Sequence, residues 1–218
     1  MNSFNIMIMN EKFRWFVIED NFLDKEECGS LIKQIDENGI RTHDDTSDDD
    51  SDFIHRREVD PTIENDPYYH KKNQWIDYFH EKSLINRVWN LFQVVNNKHY
   101  NFQLEKIYHD STNKDTIYIK KYGPEFTLKF HTDFCFSSYP PKQSLQHPCG
   151  SNLKLIMIVY LNDDFEGGET HIMHYKVKPK IGRAVICPSF ASHGVDKHWG
   201  GNDNRYALNT WAIGNTFV

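Results

Sequence analysis

The sequence predicts an α+β fold with a mostly β core, helices first and strands after. Three observations predict it. Apolar residues recur at helical spacing in two stretches before residue 99. From about residue 100 the texture changes to short β-branched and aromatic runs separated by Gly, Pro, Asn and Asp. The 218 residues hold no internal repeat and are the length of one domain. The expectation is a single domain over 1–218, with 1–99 as helical support carrying a first strand and 100–218 as a core of strands.

The elements follow in order. Phe13–Glu19 is aromatic and β-branched and reads as a strand. Asp24 then offers an N-cap, with Glu27 three residues on as in a capping box. The helix it opens runs to about Glu37 and buries Cys28, Leu31, Ile32 and Ile35. A second helix is expected from Gln74 to Asn97, where Trp75, Tyr78, Phe79, Leu84, Ile85, Val88, Trp89, Phe92 and Val95 form a core stripe. Seven strands are then expected: Phe102–Tyr108, Thr116–Tyr122, Phe126–His131, Leu153–Leu161, Thr170–Tyr175, Arg183–Cys187 and Arg205–Ile213.

Composition narrows the function. Lys and Arg number 25 against 31 Asp and Glu, a net charge of −6. Six of the acids lie in Asp44–Asp52, a self-repelling run expected to be a solvated loop. No global basic field is left to attract nucleic acid or an anionic membrane. No apolar run approaches the ~20 residues of a membrane helix. The N-terminus lacks the pattern of a signal peptide, so a cytoplasmic setting is expected. The four Cys include no CxxC pair and are expected to be free thiols.

The sharpest feature is His131-Thr132-Asp133. Residues two apart on a strand face the same side, so His131 and Asp133 project together and Thr132 points away. An imidazole and a carboxylate are two legs of a metal site. His193, 62 residues on and just after a strand, is the candidate third leg. Two His and one carboxylate on one face leave three octahedral positions open, as in non-haem Fe(II) oxygenases. Arg205 follows twelve residues later in an apolar strand. A buried Arg needs an anionic partner, which is either an internal acid or a captured carboxylate. Arg205, Ala207, Asn209 and Trp211 share one strand face. The hydroxyl of Tyr122 is within reach of the same cavity, and Thr170 follows the tight turn at Gly167-Gly168.

These residues resemble the prolyl 4-hydroxylase-like branch of the Fe(II)/2-oxoglutarate dioxygenases. The resemblance opens at Phe16–Leu23 and runs through Tyr122, His131-Thr132-Asp133, Val159-Tyr160-Leu161-Asn162, Gly167-Gly168-Glu169-Thr170, Gly182-Arg183-Ala184, His193-Gly194-Val195 and Arg205-Tyr206 to Trp211. It implies a double-stranded β-helix, the jelly roll, backed by the N-terminal helices. By resemblance, His131, Asp133 and His193 bind Fe(II), and Arg205 anchors the distal carboxylate of 2-oxoglutarate with Tyr122 and Thr170. Trp211 and Asn209 lie near the substrate. The implied reaction is hydroxylation of an unactivated C–H bond with O2, giving succinate and CO2, with ascorbate as reductant. A carboxylate at Asp133 argues for hydroxylation, since halogenating relatives carry a small residue there. The implied partner is a protein or peptide with peptidyl proline as target, and a free amino acid or other small metabolite is the alternative. Leu128 stands where many relatives have a Tyr. The segment Ser137–Asn152 is this chain's own and reads as a flap.

Other readings compete. His171 and His174 lie three apart on an expected strand and face opposite sides, which makes a poor zinc pair, and His147 with Cys149 is no better. A zinc hydrolase using His131, Asp133 and His193 would leave Arg205 and Tyr122 without a purpose. A non-catalytic jelly-roll binding module would have no need to retain all three ligands.

Overall fold

In the computed structural model the described residues are 13–42, 74–107, 115–124, 126–133, 151–201 and 204–215. The acidic run and residues 137–150 of the expected flap lie outside them, as do Cys135, His147 and Cys149.

Two antiparallel sheets face each other. The larger orders its strands β1 (Val17–Glu19), β11 (Ala184–Pro188), β7 (Ser151–Tyr160), β14 (Arg205–Asn215), β5 (Ile117–Tyr122), β3 (Gln74–Phe79) and β2 (Ile40–Thr42), with β4 (Lys106–Ile107) also on β14. The smaller runs β10 (Tyr175–Val177), β9 (Thr170–Ile172), β12 (His193–Val195) and β6 (Leu128–His131). A two-stranded ribbon pairs β8 (Glu166–Gly167) with β13 (His198–Trp199). This is the expected jelly roll.

Strand alternation divides the apolar residues into two cores. On β7, Leu155, Met157 and Val159 join Ile117, Ile119, Leu208 and the buried faces of both helices in an outer core. Ile156, Ile158 and Tyr160 join Tyr122, Val185, Cys187 and Ala207 in an inner core between the sheets. The functional face of each strand is therefore its inner one.

Helix α1 (Lys25–Asn38) begins with the expected capping box: Glu27 N–H donates to Asp24 at 2.8 Å and Asp24 N–H to Glu27 at 2.9 Å. Cys28, Leu31 and Ile35 are buried on its inward face, and Ile32 is half-buried. Its outer turn is tied to the large sheet, where Asp36 accepts from Lys121 Nζ at 2.7 Å and from Tyr206 Oη at 3.0 Å. Helix α2 (Lys82–His99) buries Leu84, Ile85, Val88, Phe92 and Val95.

The structure corrects several expected boundaries. Gln74–Phe79 is a strand, so Trp75, Tyr78 and Phe79 leave the helical stripe. Its six residues pair along their whole length with β5, and a run rich in aromatics suits a pleated surface. The strand expected from Phe13 is only β1, and that expected over Phe102–Tyr108 is only β4. Thr170–Tyr175 is a hairpin whose turn places Met173 at φ 56°. Strands β2, β8, β12 and β13 were not expected. Cys28 and Cys187 are free and buried. Among the described residues no helix is long and apolar enough to cross a membrane.

Candidate metal centre and anion pocket

Strand pairing brings the first two expected residues together: His193 on β12 is the Cα partner of His131 on β6. Asp133 lies just past the end of β6, where its N–H donates to the carbonyl of Ser189 at 3.0 Å. The ligand-type atoms of His131, Asp133 and His193 all lie within 4.8 Å of one another, the one such group among the described residues. His131 Nε2 is 3.3 Å from Asp133 Oδ1, and His193 Nε2 is 3.7 Å from Asp133 Oδ2.

Both rings are aimed in the same way. Nδ1 of His131 contacts the carbonyl of Lys129 at 2.8 Å, and Nδ1 of His193 that of Ala191 at 3.0 Å. A carbonyl only accepts, so each Nδ1 carries the proton and each Nε2 lone pair turns inward. Trp211 Nε1 donates to Asp133 Oδ2 at 2.6 Å. Burial works to raise the Asp133 pKa, but His131, His193 and Trp211 together hold the carboxyl below its ordinary range. Burial holds His193 below its ordinary value, while the Asp133 contact lifts His131 against the same burial.

A second group lies deeper between the sheets. Arg205 is 1% exposed, and its Nε and Nη2 have no hydrogen-bond partner. Among the described residues no carboxylate pairs with it, so the internal salt bridge left open by the sequence is not made there. The guanidinium lies 5.1 Å from the ring of Tyr122, its Cα partner on β5, and 5.4 Å from the ring of Tyr160 on β7. Tyr160 Oη donates to Thr170 Oγ1 at 2.7 Å, so Thr170 reaches the group through Tyr160. The turn before β9 leaves space for Arg205: at Gly168, φ is +67°, and a Cβ there would lie 2.8 Å from Phe165 and 3.4 Å from Arg205 Cδ. Asn209, on the same face of β14, has a buried Oδ1 with no partner.

Three contributors were missed as functional residues in the sequence. Tyr160 carries the only hydroxyl in the run Leu155–Leu161, on the inner parity, and that lone polar tip was its signal. Asn162 holds the chain on both sides of Arg205: its Nδ2 donates to the carbonyl of Asn204 at 2.9 Å, and its Oδ1 accepts from Tyr206 N–H at 2.8 Å. Lys120 faces inward from β5, with its Nζ 6.0 Å from the Trp211 ring. His171 is bonded to Asp196 at 2.6 Å, and His174 sits in the turn against Tyr175, so the two form no metal pair.

Residues 117–213 match the family model of the 2OG-Fe(II) oxygenase superfamily. Residues 117–213 are a 2OG-Fe(II) oxygenase domain. That family implies Fe(II), 2-oxoglutarate and O2, and the His131, Asp133 and His193 group is the candidate iron site. Solved structures share the chain's fold. A viral collagen prolyl hydroxylase from Paramecium bursaria Chlorella virus-1, in its 2OG complex, is 17% identical with a TM-score of 0.60, covering 94% of this chain and 97% of that one. A Pseudomonas putida prolyl-4-hydroxylase is 13% identical with a TM-score of 0.60, covering 93% and 94%. A Trichoplax adhaerens prolyl hydroxylase, in complex with a hypoxia inducible factor oxygen degradation domain peptide fragment, is 13% identical with a TM-score of 0.57, covering 92% and 84%. The comparison with curated proteins finds no match.

Proposed function

We propose that this oxygenase hydroxylates a peptidyl proline, with Fe(II) held by His131, Asp133 and His193 and 2-oxoglutarate anchored at Arg205. The observation that carries the reading is Arg205, a buried guanidinium with two unpartnered nitrogens and, among the described residues, no acid paired with it. A buried cation in that condition is costly unless an anion joins it. The donor set fits the group as well, with two imidazole Nε2 atoms and one carboxylate turned to a common point.

When bound, iron and 2-oxoglutarate supply O2 activation and C–H oxidation, with release of succinate and CO2. The chain's own residues bind and orient. Carbonyls 129 and 191 hold the imidazole tautomers, and Trp211 holds Asp133. The rings of Tyr122 and Tyr160 wall the guanidinium, and Tyr122 and Thr170 complete the carboxylate end. Burial raises the Tyr160 pKa, so its hydroxyl stays a donor. Trp211 and Asn209 line the side from which substrate would enter. Ascorbate as reductant belongs to the same proposal.

The choice of proline rests on fold: the three solved structures named above are prolyl hydroxylases, and the Trichoplax protein is seen with a peptide. A free amino acid is the second reading. The test is anaerobic addition of Fe(II) and then 2-oxoglutarate to metal-free protein, followed by aerobic turnover with proline peptides. The expected result is a visible charge-transfer band in wild type and succinate formation that depends on a proline peptide. In Arg205→Ala, 2-oxoglutarate affinity should fall roughly ten- to a hundredfold, the loss of a charge-assisted pair. An Arg205→Ala protein with unchanged 2-oxoglutarate dependence would remove the anchor, and stimulation of succinate formation by free proline alone would favour the second reading.

A further inference from the structure

Lys120 is an inward-facing cation that the iron and 2-oxoglutarate sites do not use. It lies in the middle of β5, with Ala207 of β14 as one Cα partner and Ile76 of β3 as the other. Its neighbours Ile119 and Lys121 face the helices: Ile119 belongs to the outer core, and Lys121 pairs with Asp36 at 2.7 Å. Lys120 takes the opposite side. The small Ala207 across from it leaves room. Its ammonium reaches toward Trp211 at 6.0 Å, the indole that holds Asp133.

Unlike Lys121, Lys120 makes no ion pair among the described residues. Filling the two proposed sites does not supply one. A ferrous ion, Asp133, Arg205 and a 2-oxoglutarate dianion balance to zero charge, and Lys120 adds one positive charge to that set. Its backbone lies between Arg205 and Trp211, opposite Ala207, and its ammonium turns toward the Trp211 ring. Tyr118 packs on Trp211 at 5.5 Å, and Tyr78 on Tyr118 at 5.3 Å, so an aromatic wall extends from the metal centre past the lysine. Such a wall lowers the local dielectric and strengthens any charge pair beside it.

We infer that Lys120 is a specificity residue for the primary substrate, pairing with a carboxylate carried next to the carbon to be hydroxylated. That carboxylate is an Asp or Glu side chain beside the target in a peptide, or the α-carboxylate of a free amino acid. The inference rests on the placement of iron and 2-oxoglutarate proposed above.

The test is equilibrium binding without turnover, by calorimetry under anaerobic conditions on protein loaded with Fe(II) and 2-oxoglutarate. Two pairs of probes are compared: a proline peptide with Glu beside the proline against its Gln counterpart, and free proline against prolinamide. In wild type the acid of one pair should bind about tenfold more tightly than its amide, the effect of a charge-assisted hydrogen bond. The pair that discriminates identifies the source of the carboxylate. Lys120→Gln should abolish the preference while keeping the charge-transfer band and the affinity for 2-oxoglutarate. Lys120→Arg should keep the preference. Equal binding of acid and amide in both pairs, or no binding of either acid, overturns the inference with no variant needed. So does a preference that survives Lys120→Gln, or a loss of 2-oxoglutarate affinity in that variant without loss of preference. No band in wild type would sink the proposed iron and 2-oxoglutarate sites and this inference with them, whereas failure with the band intact sinks this inference alone.

Discussion

Each imidazole of the candidate centre is aimed by a carbonyl two residues before it, and the carboxylate is aimed by an indole from the opposite sheet. The histidines are thus fixed by their own strands, while Asp133 depends on Trp211 across the cavity. This makes Trp211 the most informative residue to change. Trp211→Phe keeps an aromatic ring and removes only the donor to Asp133 Oδ2. Losing an outer partner of a metal ligand typically costs ten- to a hundredfold in metal affinity. Titration of metal-free Trp211→Phe with Fe(II), or with Mn(II) as a stable stand-in, should give a drop of that size with an unchanged circular dichroism spectrum. An unaltered affinity would mean that Asp133 is held well enough by His131 and by its own backbone bond to Ser189.

At the scale of elements, the start of β14 decides where Arg205 sits, and Asn162 decides the start of β14. One amide side chain meets the chain on both sides of the arginine and also donates to Asp164 at 2.7 Å. Asn162→Ala would leave the buried Tyr206 N–H without its acceptor, a loss of about 1–3 kcal/mol. Denaturant unfolding should show that loss, and the 2-oxoglutarate requirement should rise although Asn162 touches no proposed ligand. A destabilised variant with an unmoved 2-oxoglutarate requirement would make Asn162 a stability residue only. Asn162 also marks the limit of what was legible in the sequence. Local patterns were readable: the Asp24 and Glu27 capping box, the His131 and Asp133 spacing, and the inner face of β14 from Arg205 to Trp211. Residues whose role is created by distant pairing were not. Gln74–Phe79 repeats its aromatics at a spacing that fits a helix, and only its pairing with β5 makes it a strand. Tyr160 and Lys120 read as ordinary strand residues until the sheet places one beneath Arg205 and the other beside Trp211. His193 was found as a residue, but its short strand was not, because three residues carry no period.

For the molecule as a whole, the helices pack on one face of the large sheet and the candidate centre lies behind the other, so stability and chemistry use opposite faces of the same strands. The N-terminal edge is closed by a charged clasp. Asp20, just after β1, accepts from Arg183 Nε at 2.6 Å and Lys180 Nζ at 2.9 Å, both just before β11. Hydrogen bonds from Arg183 and then Lys180 lower the Asp20 pKa from 3.8 to about 2. A carboxyl whose pKa is depressed by folding stabilises the fold above its unfolded pKa, and that contribution is lost as pH falls through the folded value. The clasp should therefore contribute fully above about pH 5 and fade between about pH 4 and pH 2. The clasp is exposed, so salt should weaken it. Thermal melts of wild type and Asp20→Asn, followed from neutral to acid pH at low salt, should show a difference in Tm that is constant near neutrality and closes over that acid window. Added salt should shrink the same difference at pH 7. A gap that persists at the acid end would assign Asp20 to hydrogen bonding that does not need its charge, and no gap at any pH would make the β1 edge independent of the clasp.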